Sequence, residues 1–497
     1  MGGTAKDGPG IIPNSTKNQK EVVALGNCGK AGDENEDCHL GANDFNVEEG
    51  GVVMTEKKIG RRDFMKTTGV AGLAAGGMIL GGATHAGAAK KKAIPKTAIK
   101  VAAISFLSGP AAGPFGIPGD NSYKMMADVY NKQGGILGRK IDLISLDEAG
   151  GAKGQVELAR KLILEDKVDV ILGYISSGDC KAVIPMSDEL GGLMLAYDCG
   201  THVLMEEKKS PYKVPKFELG FRTAAHLGQD NIALALAIKK YMPDVKKIAA
   251  INQDYAWGRD SFHIFQLAIK KLLPKVEIVK TLWPKIFTTD YTAHVSALMG
   301  SGAQIVHSSL WGGDAVTFIK QAMGAGFFKQ AKLAMSRGEP YPQEIGADFP
   351  EGQFLCCAGA HYFLYPAWDK WPLNKWFVEE FNKRYKKYPT YPSYHAFQAI
   401  ASYKTAVEKA SSLVGGWPSI EDIAKALGNM SLETPSGYLT INKDHNARED
   451  CLVGISKKVK GYPFPILDPD KLEVFPSFQV NAPAGISTEA WINGWKS

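Results

Sequence analysis

Short apolar runs alternate with longer amphipathic stretches between about residue 98 and residue 358 of the chain. Apolar runs of roughly 4–8 residues are typical of strands buried on both faces, whereas apolar residues at every third or fourth position are typical of helices. Regular alternation of the two indicates a parallel sheet covered by helices on both faces. The pattern therefore predicts the α/β fold class.

The predicted elements form two successive sets, because the alternation restarts after Phe221-Arg222-Thr223. The first set has strands over 99–106, 141–146, 168–172 and 193–197, with helices over 120–133, 155–165 and 182–190. The second has strands over 247–251, 276–281, 304–307, 331–335 and 354–358, with helices over 231–241, 260–273, 291–299 and 315–323. Two such sets predict two lobes. Residues 368–427 have helical spacing, and the tail after Asp450 predicts short strands and loops.

The loop after the apolar run 168–172 is rich in hydrogen-bond donors. It breaks at Gly173 and continues through Ser176 and Ser177 into a predicted helix, whose first backbone N–H groups are free. Hydroxyls beside such N–H groups suit a carboxylate or another small polar group. An ordinary strand-to-helix turn with a serine cap explains the same residues. Ligands of such sheets bind in loops beyond the carboxyl ends of strands, where most polar and aromatic candidates of this chain fall.

Composition and motifs exclude several classes of function. The net charge of +6 is modest for 497 residues, and no basic stripe with interleaved aromatic residues is present, so nucleic acid is not an expected partner. The sequence has no GxSxG elbow, no P-loop, no GxGxxG after a strand and no HExxH. We therefore expect a binding protein rather than an enzyme, with no catalytic residues, cofactor or metal.

The first 53 residues differ from the rest of the chain. They are rich in Gly, Asn, Asp and Glu and lack periodicity, so we predict that they are disordered. Our interpretation is that Met54 is the biological start and that residues 1–53 are upstream read-through. N-terminal sequencing of the precursor tests this interpretation.

Residues 54–88 resemble a twin-arginine signal peptide. Arg61-Arg62 is followed by Phe64, by a glycine-rich and weakly apolar run over 67–82, and by the cleavage pattern Ala86-Gly87-Ala88. The many glycines favour a cleaved signal over a stable membrane anchor. We therefore expect export to the periplasm by the twin-arginine route.

Cleavage near Ala88 leaves five cysteines, which have no metal-ligand spacing: Cys180, Cys199, Cys356, Cys357 and Cys451. The adjacent Cys356 and Cys357 suit neither zinc nor an ordinary disulfide with each other. In an oxidising compartment an odd number leaves at least one thiol unpaired. The sequence leaves the pairing open.

Seven segments together resemble the leucine/isoleucine/valine-binding family of periplasmic solute-binding proteins, from about Lys100 to Cys451. They are Ser108-Gly-Pro110, Asn131-Lys-Gln-Gly-Gly-Ile-Leu-Gly138, Asp147-Glu148, Gly173 with its serines, Phe221-Arg-Thr223, Trp257-Gly258 and Gln321-Ala-Met-Gly-Ala-Gly326. The resemblance implies the type I fold, in which two doubly wound parallel-sheet lobes are joined by a hinge of three crossings. Lobe 1 is then 98–221 with 361–452, and lobe 2 is 222–360 with 453–497.

The family's role implies a function for this chain. It is expected to be a monomeric substrate-binding subunit of an ATP-binding-cassette importer, delivering a branched-chain or related amino acid or a small organic carboxylate to membrane permease subunits. An exported sensor of the same fold is the alternative, and an exported enzyme is a further one. Recovery of an unchanged ligand separates binding from turnover.

The resemblance places ligand contacts on the first lobe and aromatic residues around them. Ser177, beside Ser176, falls where the family holds the ligand carboxylate, Thr201 where a threonine helps hold the amino and carboxylate groups, and Cys199 at a backbone carbonyl contact. The family's flanking tyrosines are replaced, which predicts a larger or more hydrophobic ligand; the replacements are Phe115, Trp257 and Trp311.

The family's acidic partner for the ligand ammonium falls near Arg337 in this chain. If Arg337 faces inward, the resemblance implies an anion without a free ammonium, because a desolvated charge mismatch is costly. If Glu339 or Asp314 takes the acidic role, an amino acid remains a candidate ligand. The family's disulfide positions are Gly150 and Ser176 here, so that brace is absent.

Overall fold

The computed structural model describes residues 93–206 and 217–495. Residues 1–88 form a separate unit, of which it describes only the backbone of four short strands. Ala42–Asp44 pairs antiparallel with Thr55–Lys57, and Val47–Glu48 pairs antiparallel with Gly51–Val52. The segments predicted to be disordered (1–53) and to form an export signal (54–88) otherwise lie outside the described residues, so both stay predictions.

The first sheet contains five parallel strands in the order β2-β1-β3-β4-β5. They are β1 (Ile99–Ser105), β2 (Ile141–Asp147), β3 (Val170–Leu172), β4 (Met194–Ala196) and β5 (Gly220–Arg222). The helices between them are α1 (Ile117–Lys132), α2 (Gly151–Leu164), α3 (Ser177–Val183) and α4 (Ser187–Leu190). All three residues of β3 are buried, as expected for a strand covered on both faces.

The second sheet has five parallel strands and an antiparallel edge. The parallel strands are β6 (Lys247–Ile251), β7 (Glu277–Leu282), β8 (Ile305–Ser308), β9 (Lys332–Met335) and β10 (Phe354–Cys356), in the order β7-β6-β8-β9-β10. Their helices are α5 (Leu227–Tyr241), α6 (Ala256–Leu272), α7 (Thr292–Met299), α8 (Gly312–Gly324) and α9 (Tyr341–Ile345).

The remaining chain completes both parts of the molecule. It contributes α10 (Pro372–Tyr385), α11 (Tyr391–Val414), α12 (Ile420–Leu427), an antiparallel sheet of β11 (Met430–Thr434), β12 (Gly437–Ile441) and β13 (Ala447–Arg448), then β14 (Cys451–Lys457), β15 (Ile466–Leu467), β16 (Glu473–Phe475), α13 (Ser477–Val480) and α14 (Thr488–Asn493). Strand β14 pairs antiparallel with β10 and so joins the second sheet. The chain therefore passes between the sheets after β5, after β10 and before β14.

The predicted α/β class with two parallel sheets is confirmed. One predicted helix, over 182–190, is wrong at its start, because α3 begins at Ser177 and α4 is a separate turn. Pro185 lies between them in a 3₁₀ turn, where the missing N–H of proline interrupts the helical hydrogen bonds. Among the described residues, no helix is both long and apolar enough to cross a membrane.

Candidate functional site

A small cavity lies where the loops at the carboxyl ends of both sheets meet. Its lining residues come from the loops after β3, β4, β6, β8 and β9 and from the start of α11; they are Ile175, Ser177, Gly200, Tyr255, Trp257, Trp311, Arg337 and Tyr391. Its volume is about 20 Å³, room for about one water molecule. An organic ligand therefore has to move its walls apart, as hinged domains do.

Ser177 lines the cavity on the side of the first sheet, and the fully buried Thr201, which lies outside the lining, contacts it. The Thr201 backbone N–H donates to Ser177 Oγ (3.2 Å), and Thr201 Oγ1 donates to Asp260 Oδ2 (2.9 Å) on α6. Arg222 Nη2 donates to the Thr201 carbonyl. All three polar groups of Thr201 are thus engaged within the protein, whereas the Ser177 hydroxyl hydrogen has no acceptor among the described residues.

Arg337 crosses the cavity from the second sheet and is almost fully buried, with 7% of its surface exposed. Its Nη1 donates to the backbone oxygen (2.9 Å) and Oδ1 (2.5 Å) of Asp198, its Nε to Asp230 Oδ2 (3.1 Å), and its Nη2 to the Ala225 carbonyl (3.2 Å). The guanidinium also lies 4.9 Å from the Trp257 ring centroid. Arg337 therefore pairs with a carboxylate at the end of β4 and another on α5.

Burial and pairing set the charges of this cluster. Burial alone would lower the pKa of Arg337, but Asp198 and Asp230 outweigh it and raise that pKa, so the guanidinium stays charged. Burial raises the pKa of Asp230 to about 7 despite the opposing effect of Arg337. Asp230 therefore changes its charge near neutral pH.

Aromatic rings form the opposite wall. Trp257 Nε1 donates to the Ser309 carbonyl (2.7 Å), which fixes the plane of its ring. Trp311 packs against Phe115, with centroids 6.0 Å apart, and Phe115 packs against Tyr391 at 5.6 Å. Phe115 therefore lies behind the wall and does not line the cavity. The Tyr255 hydroxyl lies beside the Trp311 indole, but the indole N–H forms no hydrogen bond of acceptable geometry.

The two sides touch at Gly200 and Trp257. A Cβ placed on Gly200 would lie 2.1 Å from Trp257 Cζ3, far inside the contact distance of two carbon atoms. Only glycine at position 200 allows the Trp257 ring to cover the loop after β4. The contact brings the loops of the two sheets together at the cavity.

Besides Phe115, five predicted residues lie outside the cavity lining: Ser176, Cys199, Thr201, Asp314 and Glu339. Asp314 Oδ2 accepts hydrogen bonds from Gln253 Nε2 (2.5 Å) and the Phe287 backbone N–H (2.8 Å). Glu339 Oε2 accepts from the Tyr391 backbone N–H (3.0 Å), and burial raises its pKa to about 8. The Cys199 carbonyl accepts from Arg222 Nη1. Both acidic candidates thus hold backbone segments.

Ser176 and Glu148 hold the serine loop in place. Ser176 Oγ caps α3 by accepting from the Asp179 N–H (3.4 Å). The fully buried Glu148 carboxyl accepts from the backbone N–H groups of Ile175 (2.8 Å) and Ser176 (2.7 Å). Burial raises the pKa of Glu148 well above its usual range and that of neighbouring Asp179 to about 6. Glu148 thus connects the two loops that the family's disulfide joins.

Several residues of the site have little or no signal in the sequence. Tyr255 and Asp198 follow strands β6 and β4, so their positions at strand ends mark them as candidates. Tyr391 precedes a proline in a helical region, and Asp230 lies within the buried helix α5. Glu148 stands out in the sequence only as part of a strand end. For Tyr391 and Asp230, nothing local distinguishes a cavity residue from a structural one.

In the part of the chain that the structure describes, two buried groups of side chains have potential metal ligands within 4.8 Å of one another. In the first, His361, His395 and Glu449, the ring of His395 already uses both nitrogens, Nδ1 with Asp198 Oδ1 (2.8 Å) and Nε2 with the Ala358 carbonyl (2.8 Å). This group is therefore best described as a hydrogen-bond network. The second group is Asp230, Cys356 and Cys451.

Comparison with known proteins places this geometry in a family. Residues 98–457 match the family model described as periplasmic binding protein. Over 339 residues the chain is 24% identical to the leucine-, isoleucine-, valine-, threonine- and alanine-binding protein of Pseudomonas aeruginosa, a match that covers 67% of this chain and 84% of that protein.

Solved structures show the same fold. A solute-binding protein of an ABC transporter from Rhodopseudomonas palustris BisB5, in complex with 3,4-dihydroxybenzoic acid, has a TM-score of 0.67 at 22% identity, covering 78% of this chain and 99% of that one. An ABC-type branched-chain amino acid transporter protein from Rhodopseudomonas palustris CGA009 has a TM-score of 0.59 at 24% identity, covering 78% and 99%. The predicted type I architecture is thereby confirmed.

Proposed function

Because this chain belongs to the periplasmic binding protein family, we propose that it is the extracytoplasmic solute-binding subunit of an ATP-binding-cassette importer. The similarity to solute-binding proteins of such transporters supports this role. We propose further that its ligand is a small organic acid with an apolar or aromatic body and no ammonium group. The ligand binds in the cavity between Ser177 and Arg337.

The charge of the cavity lining carries this proposal. Arg337 is the only charged side chain among the lining residues, and the two carboxylates beside it, Asp198 and Asp230, are paired with it. A ligand ammonium would therefore find no free acid and would lie close to a guanidinium. Burying an unpaired charge in this way is strongly unfavourable.

A carboxylate, in contrast, finds donors on both sides. Four of the five N–H groups of Arg337 donate to Asp198, Asp230 and Ala225. The remaining N–H, on Nη2, is available to a ligand carboxylate in place of the contact that the guanidinium makes with the Tyr391 side chain. The Ser177 hydroxyl supplies a second donor across the cavity. Two such hydrogen bonds to one carboxylate fix its position and orientation.

The four aromatic rings that line the cavity favour a ligand with an apolar or aromatic body. Tyr255, Trp257, Trp311 and Tyr391 offer faces and edges for stacking with little loss of side-chain entropy. Among similar proteins, one was solved with 3,4-dihydroxybenzoic acid and others are named for branched-chain amino acids. Compounds with an aromatic body and compounds with a branched aliphatic body are therefore both suitable probes of binding.

Two matched pairs of compounds test the ligand class by calorimetry and by thermal shift. In the first pair, 4-methylpentanoate is leucine without its ammonium group, and we expect it to bind while leucine does not. In the second, benzoate carries the charge that benzamide lacks, and we expect benzoate to bind more tightly. Tighter binding of leucine than of 4-methylpentanoate would contradict the proposal and favour an amino acid receptor.

We propose that binding is not followed by turnover, because the cavity lining contains no nucleophile paired with a base. Bound ligand released by denaturation is expected to be chemically unchanged in chromatography. The transport role is tested by uptake of labelled benzoate in cells with and without the gene. Unchanged uptake with intact binding would favour the sensor alternative.

Export by the twin-arginine route is also part of the proposal, supported by Arg61-Arg62 and the pattern Ala86-Gly87-Ala88. Replacing both arginines with lysine is expected to retain the precursor in the cytoplasm, as measured by cell fractionation. We expect the mature protein to be a monomer in sedimentation. Export of the double lysine variant at an unchanged level would exclude this route.

A further inference from the structure

Two buried thiols lie in contact where the chain leaves and re-enters the second sheet. Cys356 is the last residue of β10 and Cys451 is the first of β14. Their Sγ atoms are 3.6 Å apart, and neither residue is exposed. Cys356 Sγ also faces Asp230 Oδ1 at 4.0 Å.

The strand register explains the contact. Cys356 lies opposite Val453 in the antiparallel pair, so Cys451 is its diagonal neighbour on the same face of the sheet. Cys357 is the next residue along the chain, and successive side chains of a strand point to opposite faces. The register therefore favours a pair between Cys356 and Cys451 over a pair that includes Cys357.

We propose that Cys356 and Cys451 form a disulfide when the protein meets an oxidant of the disulfide class. Each thiol gives up one proton and one electron, and an S–S bond forms between the two sulfurs. The S–S bond of the oxidant breaks, and its two sulfurs accept both protons and both electrons and become two thiols. The sulfurs approach from 3.6 Å to about 2.05 Å, a shift within the reach of side-chain rotation and a small strand movement.

The bond has two consequences for the molecule. It closes a covalent loop around residues 357–450, which contain α10, α11 and α12, and a long closed loop restricts the unfolded chain. It also removes the S–H group that faces Asp230, the carboxylate paired with Arg337 at the cavity. Oxidation is thus expected to stabilise the fold and to change the surroundings of the cavity cluster.

The test maps the thiols of the full chain after incubation with oxidised glutathione or with dithiothreitol. After oxidation, denaturation and alkylation without reductant, we expect peptides containing Cys356 and Cys451 to be joined, while Cys357 is alkylated. The melting temperature should rise by on the order of 5 °C. Alkylation of all thiols, or joining of Cys451 to Cys357, would overturn the proposal.

Serine variants distinguish the pair of Cys356 and Cys451 from the neighbouring Cys357. Cys357→Ser is the matched control and should keep both the joined peptides and the rise in melting temperature on oxidation. Cys356→Ser and Cys451→Ser should lose both. A rise that persists in Cys356→Ser, or joined peptides that contain only Cys180 and Cys199, would contradict the assignment even if one serine variant folds poorly.

Discussion

The two sides of the cavity use different chemistry. On the side of the first sheet, Ser177 and Gly200 offer a hydroxyl and bare backbone; on the side of the second sheet, Trp257, Trp311 and Arg337 offer rings and one charge. A hydroxyl on a fixed loop sets where a polar group binds. The aromatic rings select the apolar body of a ligand, and the paired guanidinium selects its charge.

The two sides are also held in place differently. The loops of the first sheet depend on buried ionisable side chains that bond to the backbone, namely Glu148 to the N–H groups of the serine loop and Arg222 to the carbonyls of Cys199 and Thr201. The side chains of the second sheet depend on each other and on Asp198 across the cavity. Loss of Glu148 or Arg222 is therefore expected to act through the loop backbone of the first sheet. Loss of Arg337 is expected to act through the charged cluster that spans the cavity.

The largest expected effect is that of Arg337→Met. The substitution leaves Asp198 and Asp230 buried without a cation, so we expect the free energy of unfolding to fall by about 4 kcal/mol in urea titrations. The control is Arg259→Met, which breaks an exposed ion pair with Asp254 and should cost less than about 1 kcal/mol. Equal losses in both variants would show that Arg337 does not anchor the cluster.

Glu148→Ala tests the anchor of the first side. It leaves the buried N–H group of Ile175 and the part-buried N–H group of Ser176 without an acceptor, and we expect a loss of about 2–3 kcal/mol in the free energy of unfolding. Glu148→Gln keeps one acceptor oxygen and should lose less. If Glu148→Ala unfolds at the same urea concentration as the wild type, the carboxyl does not brace these loops.

Much of the fold follows from local patterns, because the central strands, such as β3 and β4, are short apolar runs. The predicted strand over 247–251 coincides with β6. Helix starts were predicted a few residues late: α6 begins at Ala256 and α8 at Gly312, whereas the sequence predicts starts at 260 and 315. Glycine and polar residues that follow a strand predict a loop from the sequence. In the structure, their backbone already forms the first turn of the helix.

The site follows from sequence only in part. Ser177, Trp257, Trp311 and Arg337 were predicted as ligand contacts and do line the cavity, and their roles in binding stay a proposal. The pairing of Arg337 with Asp230 joins residues far apart in the chain. Such pairing depends on how the sheets stack, and a single sequence does not encode it locally. Whether Glu339 and Asp314 face a ligand depends on the same stacking of the sheets, which the sequence does not encode locally.

Gly200→Ala tests the contact between the two sides. The added methyl would lie 2.1 Å from Trp257 Cζ3, so the cavity cannot close fully around a ligand. We expect benzoate affinity to fall about tenfold, or about 1.4 kcal/mol, and the melting temperature to fall as well, because the clash is already present without ligand. Gly178→Ala is the matched control, because its Cβ meets only Ser176 Oγ at 3.5 Å. A loss of affinity in both variants would mean that crowding at Gly200 is not the cause.

The smallest expected effect is a pH dependence of ligand affinity. The pKa of Asp230 is raised to about 7, chiefly by burial. Below this value Asp230 is protonated and neutral, which leaves Arg337 more positive charge for a carboxylate ligand; above it, ionised Asp230 competes with that ligand. We therefore expect the dissociation constant of benzoate to rise roughly 2–5-fold between about pH 6 and pH 8.

Two variants assign this effect to one carboxyl. Asp230→Asn cannot titrate, so its benzoate affinity should be constant across the same range in calorimetry. Asp314→Asn removes another buried carboxyl whose pKa is raised by burial, but which lies outside the cavity, and its pH dependence should match the wild type. If Asp314→Asn removes the pH dependence of benzoate affinity and Asp230→Asn keeps it, then a group outside the Arg337 cluster is responsible for that dependence.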